Sequence, residues 1–205
     1  MTYPIRSVTV YCSSSSAVAR EYFLAAQQAG RAIATNHWNL VYGGNLVGLM
    51  KTLAHSCRAA GGKVIGITPQ LMVDKGIHDS LADELLITQG MRERKAMMED
   101  RGDAFLTLPG GLGTFEEIFE IIVAKQLRFH KKPIAILNTA GYFNPLLAMI
   151  DHGIEQHFIK PKARELYFVA ESVDQAVNYY KSYQPPDLAD KWFDGIPASP
   201  PSGIE

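Results

Sequence analysis

The chain has 205 residues, 47% apolar and 20% charged, with a formal net charge of −1 and an isoelectric point near 6.6. Such values suit a globular domain with a sizeable core, and no basic surplus recommends nucleic acid as a partner. No apolar stretch approaches the roughly 20 residues of a membrane helix, and MTYPIRSVTVYC has no basic segment leading into a long apolar run. A cytoplasmic protein with no membrane partner is expected, its Cys12 and Cys57 buried as free thiols.

In chain order, SVTVYC (7–12) reads as a strand and ends in serines, YCSSSS (11–16). A helical segment over 17–35 leads to the strand NLVYGG (39–44), the loop YGGNLVGLM (42–50) and a helix over 46–60. Strands KVIGIT (63–68) and ELLIT (84–88) follow, then a helix over 91–101. AFLTLP (104–109) is a strand that breaks on PGGLGT (109–114) and restarts as a helix over 114–128. PIAILN (133–138), a helix over 144–157, LYFVA (166–170) and a helix over 172–182 complete the pattern. Asn144 is the expected N-cap of the sixth helix, with Pro145 in its first position.

Most of these strands are apolar nearly throughout, as in a parallel sheet covered on both faces. The alternation predicts an α/β fold over residues 1–183: a doubly wound, mainly parallel sheet of about seven strands flanked by helices. Residues 184–205 are rich in proline and read as a tail. Its Trp192, Phe193 and Ile196 either pack on the body or another subunit, or stay disordered with it.

Three loops with small residues should open on one sheet edge, where ligands bind in such folds. They carry Ser14, then Gly43 and Gly44, then Gly110, Gly111, Gly113 and Thr114. Glycines let a ligand approach the backbone, and a helix starting just beyond presents free N–H groups and a positive dipole end. That combination suits phosphate. Thr114 can add a hydroxyl and can also cap the helix. Any one loop alone is equally a structural turn, but three on one edge favour a shared ligand. None matches a dinucleotide fingerprint or a P-loop.

Helical spacing in MRERKAMMEDRG (91–102) puts Met91, Arg94, Met97, Met98 and Arg101 along one side. An arginine within an apolar stripe needs an acidic or phosphate partner, because burying its charge alone is costly. Arg94 is thus either a ligand-binding cation or a structural ion pair. In the helix from Thr114, the residues Phe115, Ile118, Phe119 and Ile122 form the expected core stripe. Glu117 then projects away from the sheet, solvated unless a neighbouring helix or a second subunit closes over it. Glu116 lies to one side. The six histidines are scattered, and no metal site is expected.

PGGLGTFEE (109–117), with MRERK (91–95) upstream, resembles the PGGxGTxxE and M-x-x-R-K signatures of the LONELY GUY (LOG) family of cytokinin riboside 5′-monophosphate phosphoribohydrolases. Relatives often carry the older label "possible lysine decarboxylase". The resemblance runs from VTVYCSSSS through YGGNLVGLM to about residue 180, with Ser13 standing where many relatives have glycine. It implies a Rossmann-like fold and a homodimer or larger homo-oligomer. It also implies hydrolysis of the N-glycosidic bond of AMP or an N6-prenylated AMP, giving free base and ribose 5-phosphate without a cofactor. The family's catalytic pair falls on Arg94 and Glu117. Lys95, Gly110, Gly111, Gly113 and Thr114 fall in the substrate-binding motif. Met91, Gly43, Gly44, Ser14 and Glu116 complete the expected set, Glu116 serving ribose hydroxyls or an intersubunit contact. A non-catalytic carrier of a nucleotide or phosphorylated cofactor is the alternative on this fold, and lysine decarboxylation is a third reading.

Overall fold

Strands whose side chains are apolar on both faces must be covered on both, and here they are. In the computed structural model, which describes residues 3–186, seven strands form one sheet. They are β1 (Ser7–Tyr11), β2 (Asn39–Tyr42), β3 (Val64–Pro69), β4 (Glu84–Thr88), β5 (Ala104–Thr107), β6 (Ile134–Leu137) and β7 (Phe168–Ala170). Every pair is parallel, in the order β4-β3-β2-β1-β5-β6-β7. The α/β, Rossmann-like, doubly wound architecture expected from the sequence is what the chain adopts. The tail residues Trp192, Phe193 and Ile196 lie outside the described residues.

The helices are α1 (Arg20–Thr35), α2 (Gly48–Ala59), α3 (Gln70–Asp74), α4 (Met91–Arg101), α5 (Leu112–Gln126), α6 (Asn144–Glu155) and α7 (Val173–Ser182). The short α3 carries no legible periodicity and was not expected. Asn144 is the first residue of α6 and not its cap, since Phe143 takes that position. The Asn144 carboxamide oxygen instead accepts from Asn138 Nδ2, 2.9 Å away.

Strand alternation divides the core. Val8, Val10, Leu40 and Leu106 pack with residues of α1, α2 and α7, whereas Val41, Ile65, Phe105 and Ile136 pack with Met98, Ile118 and Ile121 of α4 and α5. Phe105 has no exposed surface, and its truncation to alanine should cost about 3–5 kcal/mol. Thr9 Oγ1 donates to the Met98 carbonyl at 2.8 Å, tying α4 to β1. The chain winds outward from β1 through β2, β3 and β4, then returns to β5 on the other side of β1. The β1/β5 junction is therefore the topological switch point, where loops diverge and leave a crevice.

Candidate active site

The three small-residue loops meet at that crevice. Ser13, Ser14 and Ser15 after β1, Gly43 and Asn45 after β2, and Gly111, Gly113 and Thr114 after β5 line one cavity of about 370 Å³. The first loop is held by backbone: Ser13 N–H donates to the Pro109 carbonyl at 3.2 Å, and Ser13 O accepts from Leu49 N–H at 3.0 Å. Gly48, with φ of +51°, lets α2 begin against Ser14, where a Cβ would collide with the Ser14 backbone.

The N-terminus of α5 points into this cavity. Gly111 precedes the helix, no side chain caps it, and no acidic residue occupies its first turn. First-turn N–H groups and the dipole are left for an anion. Thr114 lies inside the helix and is 4% exposed, so it does not cap. Tyr142 fixes the loop from behind, its hydroxyl donating to the Gly110 carbonyl and its ring stacked with Phe115.

Beside this anion cradle lies a buried ion pair. Arg94 is 6% exposed and Glu117 9%. Arg94 Nη1 donates to Glu117 Oε1 at 3.3 Å, Nε to the Ile67 carbonyl at 3.0 Å and Nη2 to the Gly43 carbonyl at 3.3 Å. Gly43 must lack a side chain, since a Cβ there would fill the space of Nη2. Burial pushes the Glu117 carboxyl up to about 7, against the opposing pull of Arg94. The neighbouring Cys12 thiol is also raised, by burial first and by Glu117 second.

The predicted direction of Glu117 needs correction. The buried face of α5 is Thr114, Glu117, Ile118, Ile121, Ile122 and Lys125, while Phe119 and Val123 are 39% and 41% exposed. Of the predicted stripe, Ile118 and Ile122 are buried and Phe115 packs against the core, whereas Phe119 turns outward, so the buried face is rotated to take in Thr114 and Glu117. Glu117 consequently faces the strand ends, and α4 covers it with Arg94. Arg101 also leaves the predicted stripe for the surface, pairing with Glu84 at 3.0 Å.

Of the other expected residues, Ser14, Gly43, Met91, Gly111, Gly113 and Thr114 line the cavity. Lys95, Gly44, Gly110 and Glu116 are not among its lining residues. Lys95 Nζ bridges Glu116 Oε1 at 2.7 Å and Glu120 Oε2 at 2.9 Å, lacing α4 to α5 along the rim. Gly44 takes φ of +68° and packs on the backbone of Ile67. The lining residues Asn45, Met50 and Met72, and the supporting Tyr142, were missed. Asn45 was the findable one, because it directly follows the paired glycines.

A parallel sheet with an anion cradle and a buried Arg–carboxylate pair at its switch point defines an α/β protein of nucleotide-handling type. Residues 50–180 match the family described as "Possible lysine decarboxylase". The chain is 39% identical over 180 residues to a cytokinin riboside 5′-monophosphate phosphoribohydrolase of Arabidopsis thaliana, covering 88% of this chain and 79% of that one. It is 40% identical over 179 residues to the enzyme of that name from Rhodococcoides fascians, covering 86% and 90%. The chain belongs to this LOG family. Among solved structures, the molybdenum cofactor binding protein of Rippkaea orientalis superposes with a TM-score of 0.66 over 86% of this chain and 96% of that one. At 20% identity that likeness speaks for the fold alone.

The family description names lysine decarboxylation, a chemistry carried by pyridoxal phosphate on a lysine. Among the described residues no lysine lines the cavity, so the residues present do not fit that group. No helix among the described residues is long and apolar enough to cross a membrane.

Proposed function

We propose that this protein hydrolyses the N-glycosidic bond of AMP-type nucleoside 5′-monophosphates, including N6-prenylated ones, to free base and ribose 5-phosphate. The observation that carries this reading is the buried Arg94–Glu117 pair beside an uncapped helix N-terminus in one cavity. The relatives' shared name supports it.

The 5′-phosphate binds the first turn of α5 with help from Ser14, Gly111, Gly113 and Thr114. Anchoring there orients the sugar, so remote binding energy is used at C1′. As the C1′–N9 bond breaks, its electron pair leaves with the base and positive charge builds on the sugar. Glu117 as carboxylate stabilises that charge and aligns the attacking water. Water supplies hydroxyl to C1′ and, in net terms, a proton to the base. Arg94, fixed by two backbone carbonyls, orients Glu117 and favours its ionised form. Lys95 and Glu116 brace the rim, and Gly44 and Gly110 shape the loops.

The working unit is a homodimer or larger homo-oligomer of this chain. Support comes from the apolar face that α5 turns outward, where Phe119 and Val123 join Phe158, which is 87% exposed. Incubating the purified protein with isopentenyladenosine 5′-monophosphate and with AMP tests the activity. Free base and ribose 5-phosphate should appear in equal amounts, and absence of base release across both substrates would refute the reading.

A further inference from the structure

The cavity has two chemically different ends. At one, the first turn of α5 and the serine loop offer N–H and hydroxyl groups. At the other, beyond β2 and β3, the wall is formed by Met50, Pro69, Met72 and Met91. One polar side chain interrupts that apolar wall, Asn45, which is 5% exposed. Nothing in the Arg94–Glu117 chemistry uses it.

Asn45 is held in a fixed attitude. Its carboxamide oxygen accepts from Thr68 Oγ1 at 2.9 Å, and Thr68 has no exposed surface. Its backbone bridges to His78, flanked by Leu46 N–H donating to the Ile77 carbonyl and Asp79 N–H to the Gly44 carbonyl, both at 2.8 Å. With the oxygen committed, the donor capacity of the amide rests on Nδ2. That nitrogen has no hydrogen-bond partner among the described residues and is not fully buried, and its residue lines the cavity, which leaves it able to donate to a ligand there.

The distances suit a nucleotide. α5 follows β5, and Asn45 follows β2, two strands away across β1. That separation is roughly 10 Å, about the reach from a 5′-phosphate to the edge of its base. Arg94 spans the interval, bonded to Gly43 and Ile67 on one side and Glu117 on the other.

We propose that Asn45 reads the base, its Nδ2 donating to a ring-nitrogen acceptor on the base edge while Thr68 sets which way the amide faces. The inference rests on the nucleotide reading above and adds a residue that contacts the part of the substrate the phosphate cradle cannot see. A donor in an otherwise apolar wall penalises a base that presents no acceptor there, because the amide would lose water without a replacement.

The test is a pair of calorimetric titrations, AMP and ribose 5-phosphate, on the full chain carrying Glu117→Gln so that AMP is not consumed. Adding Asn45→Ala should weaken AMP roughly 5- to 10-fold, the worth of one hydrogen bond, and leave ribose 5-phosphate unchanged. Asn45→Ser serves as a second variant that keeps a hydroxyl near Thr68, and it should show the same selective loss. Unchanged AMP binding in both variants, or equal weakening of both ligands, overturns the assignment. Failure of either ligand to bind the parent protein would remove the nucleotide reading, and this one with it, which is a different result from loss of selectivity.

Discussion

Two neighbouring cations of α4, Arg94 and Lys95, reach carboxylates of α5, and the carboxylates they meet have opposite fates. Arg94 and Glu117 meet in the cavity with side chains 7% and 10% exposed. Lys95 meets Glu116 and Glu120 on the rim, where those carboxylates are 62% and 46% exposed. One step along a helix turns a side chain by about 100°, and here that step separates a pair buried on both sides from a lysine held by solvated carboxylates. Proximity of opposite charges is common to both. What differs is burial of the carboxylate: the Lys95 side chain is 11% exposed, close to the value for Arg94, but Glu116 and Glu120 stay screened by water while burial raises the Glu117 carboxyl.

The sharpest way to break the comparison is to remove the cation from each pair. Arg94→Met should lower base release by roughly 10³-fold, the scale of lost positioning and charge stabilisation at a reacting centre. It should also cost about 3 kcal/mol of stability at alkaline pH, where Glu117 is left charged and buried, and less in acid, where it takes up a proton. Thermal melts of the variant at two pH values check this.

The pH dependence of the native protein comes next. Glu117 holds its proton to about 7 in the folded chain, against an ordinary value of 4.5. Between those values the folded state binds more protons than the unfolded one, so this group's contribution to stability is complete in acid and falls as pH rises towards 7. Glu117→Gln should remove about 3 kcal/mol of that slope. Catalysis by the carboxylate runs the other way, and kcat/KM should rise with pH through about 7. In Arg94→Met the residual activity should rise at higher pH, because Arg94 is what holds the carboxyl down.

A third variant gives a smaller effect. Phe119→Asp should shift the protein to a smaller species in sedimentation analysis, whereas an unchanged mass would place the subunit interface elsewhere. The smallest effect belongs to the rim: Lys95→Ala should cost about 1 kcal/mol or less and change kcat/KM by less than roughly 3-fold. A large rise in KM would show that Lys95 reaches substrate and would erase the contrast.

Much of this architecture was legible in the sequence. Apolar runs alternating with helical segments announced a parallel sheet, because strands buried on both faces leave that pattern. Arg94 was legible as a charge that needed a partner. Its partner Glu117 came only from the family resemblance, since α5 carries apolar residues on two sides and periodicity cannot say which side meets the sheet. Including Phe119 in the stripe turned the predicted core face too far and left Glu117 looking outward. Asn45 could be seen beside the paired glycines, but its role could not: that depends on Thr68, 23 residues on, and on the β2–β3 pairing that brings the two together.

The central claim is that the buried pair does the chemistry, and Glu117→Gln tests it most directly. The substitution keeps the shape and removes the charge, with ribose 5-phosphate binding reporting an intact cradle. Base release from isopentenyladenosine 5′-monophosphate should fall by roughly 10³-fold or more while ribose 5-phosphate still binds. Native-level base release in that variant would contradict the account.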